Sequence, residues 1–296
     1  MNRSRRCVLV SPGGNARMVA RAASTPAGEV VLDLEDAVAP SPEAKAKARQ
    51  ELARLLESTD FGGRTVAVRI NAVGGREALE DLLTLIPRVG DRIDCLVIPK
   101  VSSPSQIGFV EHCLEALEQG RDHRTGLEIQ IEDPVGLEAL PALASCSDRL
   151  EALIFGPGDF AAAMGMPQTT IGGQPAGYPG DIWHFPLFKI AVAARARGLQ
   201  VVDGPYAALA DEPGLELACQ RAAALGLDGK WAIHPSQVAT IERLMAPSTA
   251  QVQRAREVLA QVAGAGGASR LGEEMVDEAN RRMAEAVMQR SGEESG

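Results

Sequence analysis

A chain of 296 residues with a formal charge of −9, a pI near 5.1 and 45% hydrophobic residues can bury one large core. The acidic balance argues against a nucleic-acid surface, which needs a concentrated positive field. No apolar run approaches the ~18 residues of a membrane span, and Cys7–Val10 after the basic Met1–Arg6 is too short for a signal peptide.

Aromatic residues make up only 3%, so the core must be built from Val, Leu, Ile and Ala, as barrel interiors are. The five cysteines, Cys7, Cys95, Cys113, Cys146 and Cys219, are odd in number and form no C-x-x-C pair. They read as reduced thiols of a soluble, cytoplasmic protein.

Strand-like runs occur at Cys7–Ser11, Val30–Leu34, Thr65–Ile70, Cys95–Ile98, Leu127–Ile131, Ala152–Phe155, Leu199–Val202 and Gly229–Ile233. Between them lie helical patterns such as Ser41–Glu57, Arg76–Ile86, Pro104–Glu118 and Glu212–Leu225. Eight alternating units predict an α/β fold, a (β/α)8 TIM barrel spanning residues 1–246. A doubly wound open sheet is the competing architecture. No G-x-G-x-x-G follows the first strand, and S-P-G-G-N is a poor substitute.

The strand ends carry Ser11; Asp33, Glu35 and Asp36; Arg69 and Asn71; Lys100; Glu132; Asp159; Asp203; and His234. In a closed barrel these meet on one rim, where active sites of this architecture lie. The stretch Gly126–Phe160 sharpens the expectation. Glu132 ends one strand and Asp159 lies just past the next, and two carboxylates without a thiolate or histidine suit a hard divalent cation. The alternative is that each acid caps the helix that follows it.

Gly156, Pro157 and Gly158 form a loop that can bind a small carboxylate or simply make a tight turn. The Gly/Pro-rich Ile171–Trp183 is either a flap over the barrel mouth or an irregular connection. In G-K-W-A-I-H-P-S-Q (Gly229–Gln237), His234 reads as a packing or hydrogen-bonding residue rather than a catalyst.

Residues 247–296 form a C-terminal helical extension. It comprises a helix over Ser248–Val262, a Gly/Ala linker over Ala263–Ser269, a helix over Glu273–Gln289 and frayed residues from Gly292 to Gly296. Such an extension packs over its own barrel or reaches a neighbouring subunit.

The motifs L-D-L-E-D-A-V-A-P (Leu32–Pro40), V-R-I-N (Val68–Asn71), I-P-K-V (Ile98–Val101), I-E-D-P-V-G (Ile131–Gly136), F-G-P-G-D-F-A-A-A-M-G (Phe155–Gly165), V-D-G-P-Y (Val202–Tyr206) and G-K-W-A-I-H-P-S-Q resemble the citrate lyase β-subunit-like aldolase/lyase family. They cover nearly the whole chain. Ile171–Gly173 and Trp183–His184 resemble the malyl-CoA, β-methylmalyl-CoA and citramalyl-CoA lyases within it. The resemblance implies a TIM barrel, Mg²⁺ with Mn²⁺ as a substitute, and a trimer or hexamer whose C-terminal lid reaches a neighbouring subunit. It also implies reversible carbon–carbon cleavage of a β-hydroxyacyl-CoA to acetyl- or propionyl-CoA plus glyoxylate or pyruvate.

On the same resemblance, Glu132 and Asp159 are the metal ligands, and Glu35 and Asp36 hold metal-bound waters. Arg69 contacts substrate oxygens and stabilises the enolate. Gly156, Pro157, Gly158, Ile233 and Pro235 line the substrate, and Arg17 and Arg21 reach CoA phosphates. Asp277, in M-V-D-E-A, is the proton-transfer carboxylate; without the resemblance it reads as a helix N-terminal charge.

Two departures bear on the acyl pocket. Asp133 stands where the family carries a small hydroxyl residue, and Ile171–Trp183 is shorter than in malyl-CoA lyases. The alternatives are a malyl-CoA thioesterase on the same site and a citrate lyase β-type subunit acting on a citryl thioester.

Overall fold

The computed structural model describes residues 3–265 and 268–292. These fall into two compact units that divide between Met245 and Ala246. In the first, eight parallel strands pair in chain order and close into a barrel: β1 (Cys7–Pro12), β2 (Glu29–Asp33), β3 (Thr65–Arg69), β4 (Cys95–Ile98), β5 (Gly126–Ile131), β6 (Leu150–Phe155), β7 (Gln200–Asp203) and β8 (Gly229–Ala232). Between and after them run α1 (Ala16–Ala23), α2 (Pro42–Ser58), α3 (Arg76–Val89), α4 (Pro104–Leu117), α5 (Pro134–Leu143), α6 (Pro157–Ala163), α7 (His184–Arg195), α8 (Glu212–Ala224) and α9 (Val238–Met245). The closed sheet excludes the doubly wound alternative. Among the described residues no helix is long and apolar enough to cross a membrane.

The strands are apolar on both faces because both are covered. Alternate residues Val8, Val31, Ala67, Val97, Ile154, Val202 and Trp231 fill the barrel interior as a separate cluster. Their neighbours, among them Leu9, Leu32, Val68, Ile98, Ile129 and Phe155, join the helices in a larger outer core. The helices start where capping residues allow: Ser41, Ser103 and Asp133 each accept a backbone N–H in the first turn. Helix α3 runs past the expected Ile86 to Val89, carrying Pro87 in its last turn.

The same alternation buries charge at the N-terminal ends of the strands. Arg5, 1% exposed, lies 3.0 Å from Glu29, 2.8 Å from Glu128 and 2.8 Å from Glu151. Glu29 and Glu128 are both fully buried. Burial and the adjacent Glu128 push the Glu29 carboxyl well above the usual range. One guanidinium therefore balances two buried acids only with the help of a proton.

The second unit departs from its sequence reading. Helix α10 runs from Thr249 to Ala265, so Ala263–Ala265 are helical rather than linker; residues 266 and 267 lie outside the described residues. A short hairpin follows, β9 (Ser269–Leu271) and β10 (Glu274–Val276), turned at Gly272 with φ 64°. The last helix, α11 (Glu278–Ser291), therefore starts five residues later than expected, with Asp277 as its N-cap. Its C-cap Gly292 is left-handed, and residues 293–296 lie outside the described residues. Val252, Ala255, Val258, Val276, Ala284 and Met288 form this unit's own core.

Replacing Arg5 with Met leaves Glu29 and Glu128 uncompensated. Arg5→Met is expected to destabilise the protein by about 3–5 kcal/mol at neutral pH, and by less near pH 4, where carboxylates in general begin to lose their charge. Urea unfolding at the two pH values checks this; an equal loss at both would assign the effect to packing.

Candidate active site at the C-terminal rim of the barrel

Inward-facing Asp33, Arg69 and Gln130 lie near the C-terminal ends of β2, β3 and β5, with Glu132 just beyond β5. Asp33 receives both arms of the Arg69 fork, at 2.8 Å to Nε and 2.7 Å to an Nη. Its two oxygens also accept the N–H groups of Glu35 and Ala37, which turns the β2–α2 loop back over the site. The second Arg69 Nη faces Gln130 Oε1 at 3.4 Å and Glu35 at 3.3 Å. The guanidinium lies 5.6 Å from the Trp231 ring. Burial alone would lower the Arg69 pKa, but Asp33 and the other acids hold it above the ordinary value. Arg69 is a fixed, permanently charged fork.

Glu132 is 4% exposed. Its Oε1 accepts the Lys100 backbone N–H at 2.6 Å and its Oε2 faces Gln130 Nε2 at 3.3 Å. A Cβ on Gly156 would lie 2.4 Å from Glu132 Oε2, so only glycine fits at that step of the β6–α6 loop. Burial and the charge of Asp159 push the Glu132 carboxyl up to about 7. Asp159 sits in the first turn of α6 with a half-exposed side chain. The Lys100 ammonium contacts Glu35 and lies 3.5 Å from Asp159 and 3.7 Å from Asp36. Glu35 is 7% exposed with one oxygen lacking a hydrogen bond, and burial raises its pKa.

Beside these groups lies a cleft of about 530 Å³ at the barrel mouth, whose lining includes neither Glu35 nor Lys100. Asp36, Arg69, Glu132, Asp159, Gly156, Pro157, Gly158 and Ile233 all line it. Ile171, with Gln168, Thr169 and Thr170, supplies one wall. Ile171–Trp183 is thus an irregular connection tied down at both ends. Gly172, at φ 75°, packs against the Pro205 carbonyl, and Trp183 is fully buried with its indole N–H on the Gly173 carbonyl at 2.9 Å.

Other expected rim residues serve the scaffold. Asn71 donates to Asp81 of α3 at 2.7 Å. Asp203 turns out of the barrel onto Lys230 at 2.7 Å. His234 caps the 3-10 turn Pro235–Gln237, which Pro235 opens, and Pro235 is not among the cleft-lining residues. Arg17 and Arg21 are exposed on α1, also outside that lining. Asp133 accepts the Gly136 N–H at 2.6 Å and caps α5, a task that a serine or threonine hydroxyl performs equally well. Asp277 accepts the N–H groups of Ala279 and Asn280, while its own N–H donates to Asn280.

The donor chemistry fits a hard divalent cation. Around Arg69 and Lys100 stand five carboxylates, Asp33, Glu35, Asp36, Glu132 and Asp159, a clear excess of negative charge. Among the described residues no three His, Cys, Asp or Glu side chains form a closed chelate. An ion such as Mg²⁺, which binds through one or two carboxylates and keeps several waters, requires none.

Comparison with known proteins points the same way. The family described as HpcH/HpaI aldolase/citrate lyase matches residues 6–235, and that described as C-C bond lyase of the TIM-barrel fold matches residues 198–293. The chain is 35% identical over 304 residues to an L-malyl-CoA/beta-methylmalyl-CoA lyase of Cereibacter sphaeroides, covering 98% of this chain and 95% of that one. It is 29% identical over 274 residues to a malyl-CoA/beta-methylmalyl-CoA/citramalyl-CoA lyase of Chloroflexus aurantiacus, covering 86% and 78%. The solved structure of CitE from Mycobacterium tuberculosis, in complex with magnesium, acetoacetate and coenzyme A, superposes with a TM-score of 0.79 at 27% identity, covering 99% of this chain and all of that one.

The raised Glu132 pKa predicts a pH dependence of stability. The folded state holds this proton up to about pH 7, against about 4.5 for a free carboxyl. Its contribution is therefore present at low pH and is lost as pH rises through that window, by at most about 3 kcal/mol. In a chelating buffer, the stability difference between wild type and Glu132→Gln is expected to shift by roughly 2–3 kcal/mol between pH 5 and pH 8. A difference that stays constant would show that Glu132 is already ionised at pH 5.

Proposed function

We infer the activity from one premise: the chain belongs to the HpcH/HpaI aldolase/citrate lyase family. It is a carbon–carbon lyase that acts on an acyl-CoA with Mg²⁺, cleaving malyl-CoA or β-methylmalyl-CoA to acetyl- or propionyl-CoA and glyoxylate, with citramalyl-CoA and pyruvate as the further pair. The observation that carries this reading is the pairing of a fixed arginine fork with an acid-rich cleft. Cleavage creates an enolate at the thioester carbonyl and a keto acid beside it, and the two need different stabilisers.

Glu132 and Asp159 are the residues that would hold the cation, with Glu35 and Asp36 orienting its waters. When bound, Mg²⁺ supplies Lewis acidity toward the hydroxyl and carboxylate oxygens of the substrate. Arg69 addresses the thioester oxygen. Because Asp33 already grips its fork and Trp231 lies beneath it, the guanidinium meets the developing oxyanion without reorganising. Gly156–Gly158 at the start of α6 accommodates the small carboxylate of the keto acid. The apolar wall of Ile171 and Ile233 excludes water, which would hydrolyse the thioester. Asp277, supplied by the extension of another copy of the chain, is assigned the proton at the acetyl methyl carbon.

Incubation with malyl-CoA and Mg²⁺, resolving keto acid, acyl-CoA and free CoA, tests the reaction class. Keto acid plus acyl-CoA is expected; malate plus free CoA would make the protein a thioesterase. Arg69→Lys, which removes the fork but keeps a charge, is expected to lower kcat about 10²-fold or more. Asp159→Ala should abolish Mg²⁺-dependent turnover with the fold intact by circular dichroism. Asp277→Asn separates acid from cap, because asparagine caps a helix as well as aspartate does. Its melting temperature should be unchanged while kcat falls about 10²- to 10⁴-fold; unaltered turnover would return Asp277 to a purely structural role.

A further inference from the structure

Lys100 bridges the acid cluster, yet nothing above gives it a task. It follows β4, and among the described residues it is the one non-glycine with a left-handed backbone, at φ 54°, a conformation a lysine adopts only at a cost. The surroundings enforce the kink. The Lys100 carbonyl accepts from Gln106 Nε2 at 3.2 Å, and Gln106 Oε1 accepts the N–H groups of Ser102 and Ser103. This ties the loop to the capping box of α4.

The kink allows one residue to address the cluster twice. Its backbone N–H fixes Glu132 Oε1 at 2.6 Å. Its ammonium reaches Glu35, Asp159 and Asp36, with the two aspartates 3.5 and 3.7 Å away. The side chain is 40% exposed, so the ammonium has a way out to water while the strained backbone stays where it is.

We propose that Lys100 is a positioning residue whose ammonium holds the place of the divalent cation among Glu35, Asp36 and Asp159 until the cation displaces it. The inference rests on the assignment of Glu132 and Asp159 as cation ligands. The backbone places the two ligands, since the Lys100 N–H fixes Glu132 and the first turn of α6 carries Asp159. With the ammonium in place, cation binding must displace a like charge. Affinity is therefore set lower than the carboxylates alone would give, and the metal stays exchangeable. A lysine with a merely structural role makes the opposite prediction, since removing it would loosen the acids and weaken binding.

The test is Mn²⁺ titration of the full-length protein, with free ion followed by electron paramagnetic resonance at fixed ionic strength. Wild type, Lys100→Met, Lys100→Gly and Asp159→Ala are compared. Lys100→Met is expected to bind Mn²⁺ about tenfold more tightly than wild type, because a full charge within 4 Å of Asp159 and Asp36 has been removed. Lys100→Gly should bind at least as tightly and melt no lower than Lys100→Met, because glycine takes the left-handed backbone freely. Unchanged or weaker binding by both variants would overturn the proposal. A wild type that binds no Mn²⁺, or an Asp159→Ala variant that binds it as wild type does, would instead remove the ligand assignment beneath it.

Discussion

Carboxylates buried inside a closed barrel must be compensated, and at each end of this barrel a buried arginine faces them. At the N-terminal ends of the strands, Arg5 faces Glu29 and Glu128; at the C-terminal ends, Arg69 faces Asp33 and Glu35, with Glu132 nearby. Both ends have more acid than the arginine balances. At the N-terminal end the excess is met within the scaffold, by burial that pushes the Glu29 carboxyl well above the usual range and by Arg3 from outside, 3.0 Å from Glu151. At the open end the excess meets a cleft, and the compensating charge is exchangeable: a half-exposed lysine, a proton on Glu132, or a hard cation. A permanent solution makes scaffold, while an exchangeable one leaves electrostatic energy available for catalysis.

The two carboxylates assigned to the cation differ in mobility, and the difference is useful. Glu132 follows a buried strand, is fixed by the Lys100 N–H and is pressed against Gly156, so in the proposed assignment it is the fixed ligand. Asp159 lies in the first turn of a short helix and is half exposed, so it can follow the ion or the lysine. Arg69 lies on the other side of Glu35 and is held by both oxygens of Asp33. The thioester side of the cleft is therefore preorganised and the cation side adaptable, which suits a reaction whose enolate needs a fixed donor and whose keto acid must enter and leave.

The barrel was legible because its strands obey one rule: buried on both faces, they read as short unbroken apolar runs between longer helical patterns. The strand-end rule then placed Arg69, Glu132 and Asp159 on one rim. It failed for Asn71 and Asp203, because a polar residue at a strand end points inward or outward according to its parity. E-I-Q-I-E over Glu128–Glu132 carries such parity information, since period two puts Glu128, Gln130 and Glu132 on the same inner face. The partnership of Arg5 with Glu128 spans 123 positions and has no local signal. The kink at Lys100 has none either, because no glycine or asparagine marks it. In the extension, three-residue strands are too short to show alternation, so E-E-M-V-D reads as a helix start although Glu274–Val276 forms the second strand of a hairpin.

What separates the possible carbonyl products is a single methyl group, worth roughly 1–3 kcal/mol of discrimination in an apolar pocket. The ionic groups cannot supply it, since glyoxylate and pyruvate present them with the same carboxylate and carbonyl. Asp133 cannot either, because its side chain is committed to capping α5. That leaves the apolar wall, where Ile171 and Ile233 face the cleft. Ile171 comes from the irregular connection whose backbone is pinned by Gly172 against the Pro205 carbonyl and by the buried Trp183. A methyl added to the keto acid meets this apolar wall, so the proposed site of discrimination between the two keto acids is Ile171 and Ile233 together, while the capacity for cleavage belongs to the barrel rim.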